Sequence, residues 1–260
     1  MFNIYLKSVS EVIFMTNKIA LCFLTYSEFS RPEEWIEYVD NKNFNIYIHN
    51  KTPFTGYLSK YCIDGIVDTK WGDISLVKAT LSLFHTAFQN NDNKFFVLLC
   101  GASLPLSTPE DFYSYVISKS TNILYQSPND SDDYKDMGTS AARFNTLARK
   151  DFFSRSEFVK QDQWMVLDRK TVLFFITNNF LSIFGKSFFV PDEHYFINVM
   201  NKFNIPFIHQ AIMHVEWTTT YGRHGKVLRP VTYDKLTNDV VERAKAKGCF
   251  FIRKLASSSI

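Results

Sequence analysis

The chain has 260 residues and a net charge of +3 at pH 7, too mild a surplus to form the basic stripe of a nucleic-acid binder. Hydrophobic residues at 46% and charged residues at 21% sit in the range of soluble globular proteins, with enough length for one large α/β domain or two modest ones sharing a core. No stretch reaches the roughly 20 apolar residues of a membrane-spanning helix, and MFNIYLKSVSEVIFMTNK, broken by Lys7 and Glu11, lacks the layout of a signal peptide, so a soluble, cytoplasmic chain is expected.

In chain order, residues 1–17 are expected to be an N-terminal extension and 18–260 a single domain. KIALCFLTY (18–26) is an apolar run suited to a buried parallel strand, and PEEWIEYVD (32–40) a helix with Pro32 in its first turn. FNIYIHN (44–50) is a second strand, stopped by Lys51-Thr52-Pro53. GIVDTK (65–70) predicts a short third strand, leading into a helix over 75–90, where Leu76, Ala79, Leu83 and Ala87 recur at helical spacing and Ser75 can cap. KFFVLLCGAS (94–103) is another buried strand. Alternation of this kind predicts a mostly parallel sheet with right-handed crossovers and ligands at the carboxyl ends of its strands.

Residues 126–142 are polar and turn-rich, hence a surface loop. QWMVLDRKTVLFFITN (163–178) reads as strand into helix, DEHYFINVMNKF (192–203) as a helix and IPFIHQAIMHVEW (205–217) as a strand. TYDKLTNDVVERAKAKG (232–248) reads as a final amphipathic helix with Gly248 at its C-cap. The 26 Phe point to a Phe-filled core or a biased coding composition. The four cysteines lie far apart, Cys22 and Cys100 inside apolar runs, which suits buried free thiols and a reducing compartment.

Three local features carry possible chemistry. Asp192-Glu193 after Pro191 is either an ordinary acidic helix start or a reactive carboxylate pair. Trp71-Gly72 is either packing and a turn or part of a site. Arg253-Lys254 in FFIRKL (250–255) is either a solvated edge or a cationic contact, and neighbours on a strand point to opposite faces. Asp130-Ser131-Asp132 fits the Asp-X-Asp pattern that holds a divalent metal in many sugar transferases, although it sits in a polar loop. His194, His209 and His214 lack the i,i+4 pairing of a helical zinc site.

In their order, the segments KIALCFLT, IYIHN, VDTKWGDISLVKATLSLFHTA, FFVLLCGASLPLSTPEDF, QDQWMVLDRKTV, VPDEHYFINVM, HVEW, RPVTY and FFIRKL resemble the core-2/I-branching β-1,6-N-acetylglucosaminyltransferase family, glycosyltransferase family 14, over about 18 to 255. The resemblance implies a GT-A-like α/β fold with a mostly parallel central sheet flanked by helices. It implies inverting, metal-independent transfer of a sugar, GlcNAc favoured, from a UDP-sugar to a hydroxyl of a glycan or other acceptor, with no cofactor. Glu193 matches the family's catalytic base, with Asp192 capping the helix or orienting the site. Lys254 and Arg229, with Arg253 as a further member and Arg223 as substitute for Arg229, match the cations that hold the diphosphate. Leu24, Thr25, Asn50 and Asp68 fall at nucleotide contacts, Asn50 standing where the family has an acid. Trp217 matches the tryptophan on which the acceptor sugar packs. The acceptor-side loop, with Tyr125, Asp130, Lys135 and Arg143, does not match, so the acceptor differs from a mucin core. Two alternatives stand beside this: a metal-dependent transferase using Asp130 and Asp132, and a catalytically inactive carbohydrate-binding protein of the same fold.

Overall fold

The computed structural model describes residues 17–127, 140–222 and 225–256; nearly all of the expected extension, and Arg223, Asp130, Asp132 and Lys135, lie outside the described residues. The first apolar run forms β1 (Lys18–Thr25), whose residues 19–23 are buried, and FNIYIHN forms β2 (Phe44–Asn50). They pair in parallel, with Thr25 opposite Asn50 at their carboxyl ends. Between them, Pro32–Trp35 is a 3-10 turn that runs into one α-turn, α1 (Ile36–Val39).

The predicted strand at 65–70 does not form. Its backbone is held by side chains instead: Val67 N–H donates to His49 Nε2 at 2.8 Å, and Lys51 Nζ donates to the Thr69 carbonyl. With its polar groups so engaged, the segment leaves the β2 edge after a single bridge at Ile48 and Cys62. Helix α2 (Ser75–Phe88) follows, but Ser75 is its first residue and not its cap. Asp73 Oδ1 takes the Ser75 N–H at 2.8 Å, and Ser75 Oγ takes the Lys70 N–H at 2.9 Å.

The chain continues through β3 (Asn93–Leu99), β4 (Ser103–Pro105), α3 (Pro109–Lys119), β5 (Asn122–Gln126) and α4 (Ser140–Phe144). Next come β6 (Gln161–Asp168), α5 (Arg169–Thr177) and α6 (Leu181–Phe184). Thr108 and Asp168 cap α3 and α5, each accepting a backbone N–H three residues on. After the 3-10 turn Pro191–Glu193 come α7 (Tyr195–Lys202), β7 (Phe207–His209), β8 (Met213–Val215), β9 (Trp217–Gly222), β10 (Gly225–Pro230), α8 (Asn238–Ala246) and β11 (Phe251–Arg253).

Among the described residues one sheet has the order β2-β1-β3-β6-β5-β7, and another has β4-β11-β8, with β9 and β10 as a separate hairpin. In the large sheet β2-β1, β1-β3 and β5-β7 are parallel, while β3-β6 and β6-β5 are antiparallel. The expected strand over 205–217 is therefore two short strands in different sheets: β7 extends the large one beside β5, and β8 pairs with β11 in the small one. Trp217 and Arg253 line one cleft with the first half of β6. The predicted Phe core is present, with Phe196 on α7 packing its ring 4.9 Å from Phe175 on α5 and 6.1 Å from Phe84 on α2. The cysteines of the described residues are all free, and Cys22 and Cys100 are buried as expected. No described helix is long and apolar enough to cross a membrane.

Candidate active site

Glu193 ends a tight 3-10 turn, and its place is set by bolts from α7 to β6. Asn198 on α7 accepts the Val159 N–H at 2.9 Å and donates to the Val159 carbonyl at 2.8 Å. At the preceding residue of α7, the Ile197 N–H is accepted by Gln161 Oε1 at 2.7 Å. These paired amides hold the start of β6 beside the turn, so Lys160 reaches Glu193 Oε2 at 3.2 Å. Arg143 of α4 reaches the same oxygen at 3.5 Å, and both cationic side chains are largely buried. The predicted helix over 192–203 is thus interrupted at His194, whose backbone lies outside the helical region. His194 is buried, stacks on Phe158 and bonds through Nδ1 to the Val190 carbonyl at 3.1 Å. Burial, helped by the Arg143 charge, holds its ring far below the usual histidine range, so it is a neutral packing group.

The turn's approach is strained. Val190 takes φ +51°, a conformation that a β-branched residue rarely adopts. It is held there by its N–H, which donates to Gly72 O at 2.9 Å. Gly72 is itself at φ +72°, and a Cβ there would meet the Phe189 ring at 2.6 Å. Strain of this kind persists only where surrounding contacts over-determine it. Of the two alternatives for Trp71, burial in the core is not what is seen: the residue is 71% exposed, with its ring edge-on to Phe189.

Asp192 does not cap α7: none of its hydrogen bonds is to the helix start, and its Oδ1 is buried without a partner among the described residues. Burial first, and the adjacent Glu193 charge second, push its carboxyl up to about 7. An acid whose folded pKa lies above its unfolded value binds more protons in the native state, so it withdraws stability as pH rises from about 4 through 7. Asp192→Asn is expected to remove that loss. Thermal melts across pH 4 to 8 should show wild type falling relative to the variant, and parallel curves would refute the shift.

Glu193 borders a cleft of about 890 Å³ shared with Lys160, Asp162, Trp164, Trp217 and Arg253. Trp217 is 41% exposed at its wall. The preceding residue, Glu216, is pinned by Tyr233 Oη at 2.6 Å and by the Arg243 guanidinium at 2.8 Å, with His214 Nε2 at 3.4 Å. The Tyr233 hydrogen bond above all, with help from Arg243, holds the Glu216 carboxyl down at about 2. The Trp217 platform is therefore anchored from behind. Arg253 places its guanidinium 5.2 Å from the centre of the Trp164 ring, with Nε buried and unpartnered among the described residues.

Of the expected cations, Arg253 is the one that lines the cleft with Glu193; Arg229 and Lys254 are exposed and are not among its described lining residues. The adjacent pair divides at the end of β11: Arg253, its last residue, lines the cleft, and Lys254, just beyond it, is exposed. The expected nucleotide contacts gather elsewhere, at the carboxyl ends of β1 and β2. Leu24 and Thr25 end β1, and Thr25 Oγ1 donates to the Ser27 carbonyl at 3.0 Å. Asn50 is buried and spends its amide N–H on the Thr52 carbonyl at 2.7 Å. Asp68 is exposed and paired with Lys51 at 3.0 Å. Lys160, Asp162 and Trp164 were not singled out by the sequence, although their spacing of two along one strand was a usable signal. Among the described residues no group of three His, Cys, Asp or Glu side chains is gathered as a metal site would need.

A family model described as Core-2/I-Branching enzyme matches residues 19–243. The chain is also similar to Glycosyltransferase BC10 of Oryza sativa subsp. japonica, 27% identical over 136 residues that make up 49% of this chain and 31% of the rice protein. The matched stretch thus spans under a third of that relative's length.

Proposed function

The chain belongs to the Core-2/I-branching enzyme family of glycosyltransferases and has the GT-A-like α/β fold expected of it; on that footing we propose that it moves a sugar, GlcNAc favoured, from a UDP-sugar to an acceptor hydroxyl with inversion and without a metal. Glu193 takes the proton of the acceptor hydroxyl as that oxygen forms its bond to C1. The C1–O bond to the diphosphate breaks on the opposite face, and UDP leaves with the bonding electrons. Arg253 meets the charge that develops on the leaving group, acting as a fixed cation in place of a metal. Arg229 and Lys254 add to the positive field from outside the cleft. Trp217 offers the apolar face on which the acceptor sugar lies, and β1, β2 and Asp68 offer the nucleotide edge.

The observation that supports this reading is the meeting of Glu193, Trp217 and Arg253 in one cleft from three distant parts of the chain. Titration with UDP, UDP-GlcNAc and UDP-xylose, each with and without EDTA, tests it by thermal shift. Binding at 100 times Kd stabilises the native state by roughly 2.7 kcal/mol, a shift of several degrees. The same shift in EDTA is expected. A shift that vanishes with EDTA and returns with manganese would overturn the metal-free mechanism, and no shift with any donor would overturn the activity.

A further inference from the structure

Strand β6 and the residue before it line the cleft with Lys160, Asp162, Gln163 and Trp164. Lys160 touches Glu193 at 3.2 Å, and Trp164 lies 5.2 Å beneath Arg253. The strand therefore spans the site from the carboxylate at one end to the guanidinium at the other. Four residues of strand cover roughly 13 Å between Cα atoms, room for one pyranose ring with its glycosidic oxygen. Asp162 stands midway.

Its surroundings are unusual for a structural acid. Ser127 Oγ donates to Oδ1 at 2.9 Å, and among the described residues no other hydrogen bond and no cation within ion-pair distance reaches the carboxylate. A carboxylate can accept about four hydrogen bonds, and a half-buried one with a single protein donor has room for more. Burial accordingly pushes its carboxyl up, against the pull of Ser127 and Lys160. Sugar hydroxyls are donors of the required kind, and Asp162 borders the cleft.

We propose that Asp162 holds the transferred sugar, accepting hydrogen bonds from its ring hydroxyls between Glu193 and Arg253. The inference rests on the glycosyl-transfer reading above. Inversion requires the base and the leaving group on opposite faces of C1, so the sugar between Glu193 and Arg253 is the donor's, and Asp162 is a donor-sugar residue and not an acceptor contact. Asp162→Asn keeps an oxygen for Ser127 and removes the charge.

Isothermal titration of wild type and Asp162→Asn with UDP, UDP-GlcNAc and UDP-xylose separates the contributions, and steady-state kinetics gives KM for donor and acceptor. UDP affinity should stay within about twofold, while the gain of the preferred UDP-sugar over UDP is lost and donor KM rises roughly ten- to a hundredfold, the worth of hydrogen bonds to a charged group. Acceptor KM should not move. Donor KM equal to wild type, equal losses for UDP and UDP-sugar, or a rise in acceptor KM alone would each overturn the proposal while leaving the transfer reading intact. Should wild type bind no UDP-sugar, both fall. Ser127→Ala, which keeps the charge but frees its orientation, guards against a folding defect in Asp162→Asn: a smaller rise confined to donor KM is expected, and none refutes the assignment.

Discussion

Glu193→Gln is expected to slow glycosyl transfer by roughly 10²- to 10⁴-fold, the usual worth of a positioned general base, while UDP-sugar binding holds near the wild-type level. The amide keeps the shape and one acceptor oxygen, so Lys160 and Arg143 retain a hydrogen-bond partner even as they lose a counter-charge. Because those two cations are largely buried, a modest fall in melting temperature should accompany the change. Single-turnover measurement at saturating donor separates the chemical step from binding and product release. Turnover unchanged in Glu193→Gln would move the base elsewhere or point to a protein that kept the fold for binding carbohydrate alone. The same experiment on Lys160→Met probes placement: if Lys160 serves to aim Glu193, its loss should lower kcat and leave donor KM near wild type.

How far the sequence reaches can be seen in particular segments. Runs such as KIALCFLT and FFVLLCG are legible because a strand buried on both faces is apolar throughout, and both fold as central strands. Segment 65–70 misleads because its apolar residues sit beside His49 and Lys51, whose side chains engage its backbone groups in place of a neighbouring strand. Nothing local in 205–217 announces that the chain changes sheets between His209 and Met213, since the choice is made by β5 on one side and β11 on the other. At the site, Glu193 and Trp217 could be named from ordered motifs. The stripe of Lys160, Asp162 and Trp164 was hidden because a run reading K-Q-D-Q-W looks like a polar strand entry until the partner of each side chain is known. The ion pairs that fix Glu193 come from residues 33 and 50 positions away, and such separations leave no trace in periodicity.

Arg253→Ala is expected to cost roughly 10²- to 10³-fold in kcat, as removal of one preorganised donor to a developing negative charge typically does, and to exceed the effect of Lys254→Ala or Arg229→Ala. Resemblance alone placed Lys254 and Arg229 first. The cleft lining favours the other order, since Arg253 lines it beside Trp164 whereas Lys254 and Arg229 are exposed. A cation in a largely enclosed site acts through a low local dielectric, while an exposed one is screened within about 8 Å at physiological salt. The Arg253 deficit should therefore persist at 0.5 M NaCl, and any Lys254 or Arg229 deficit should be nearly erased by it. Equal, salt-sensitive losses in all three variants would mean that the diphosphate sits over the outer face of β11 and β10. In that case the buried Nε of Arg253, unpartnered among the described residues, would be a packing feature over Trp164 and not a reserved donor.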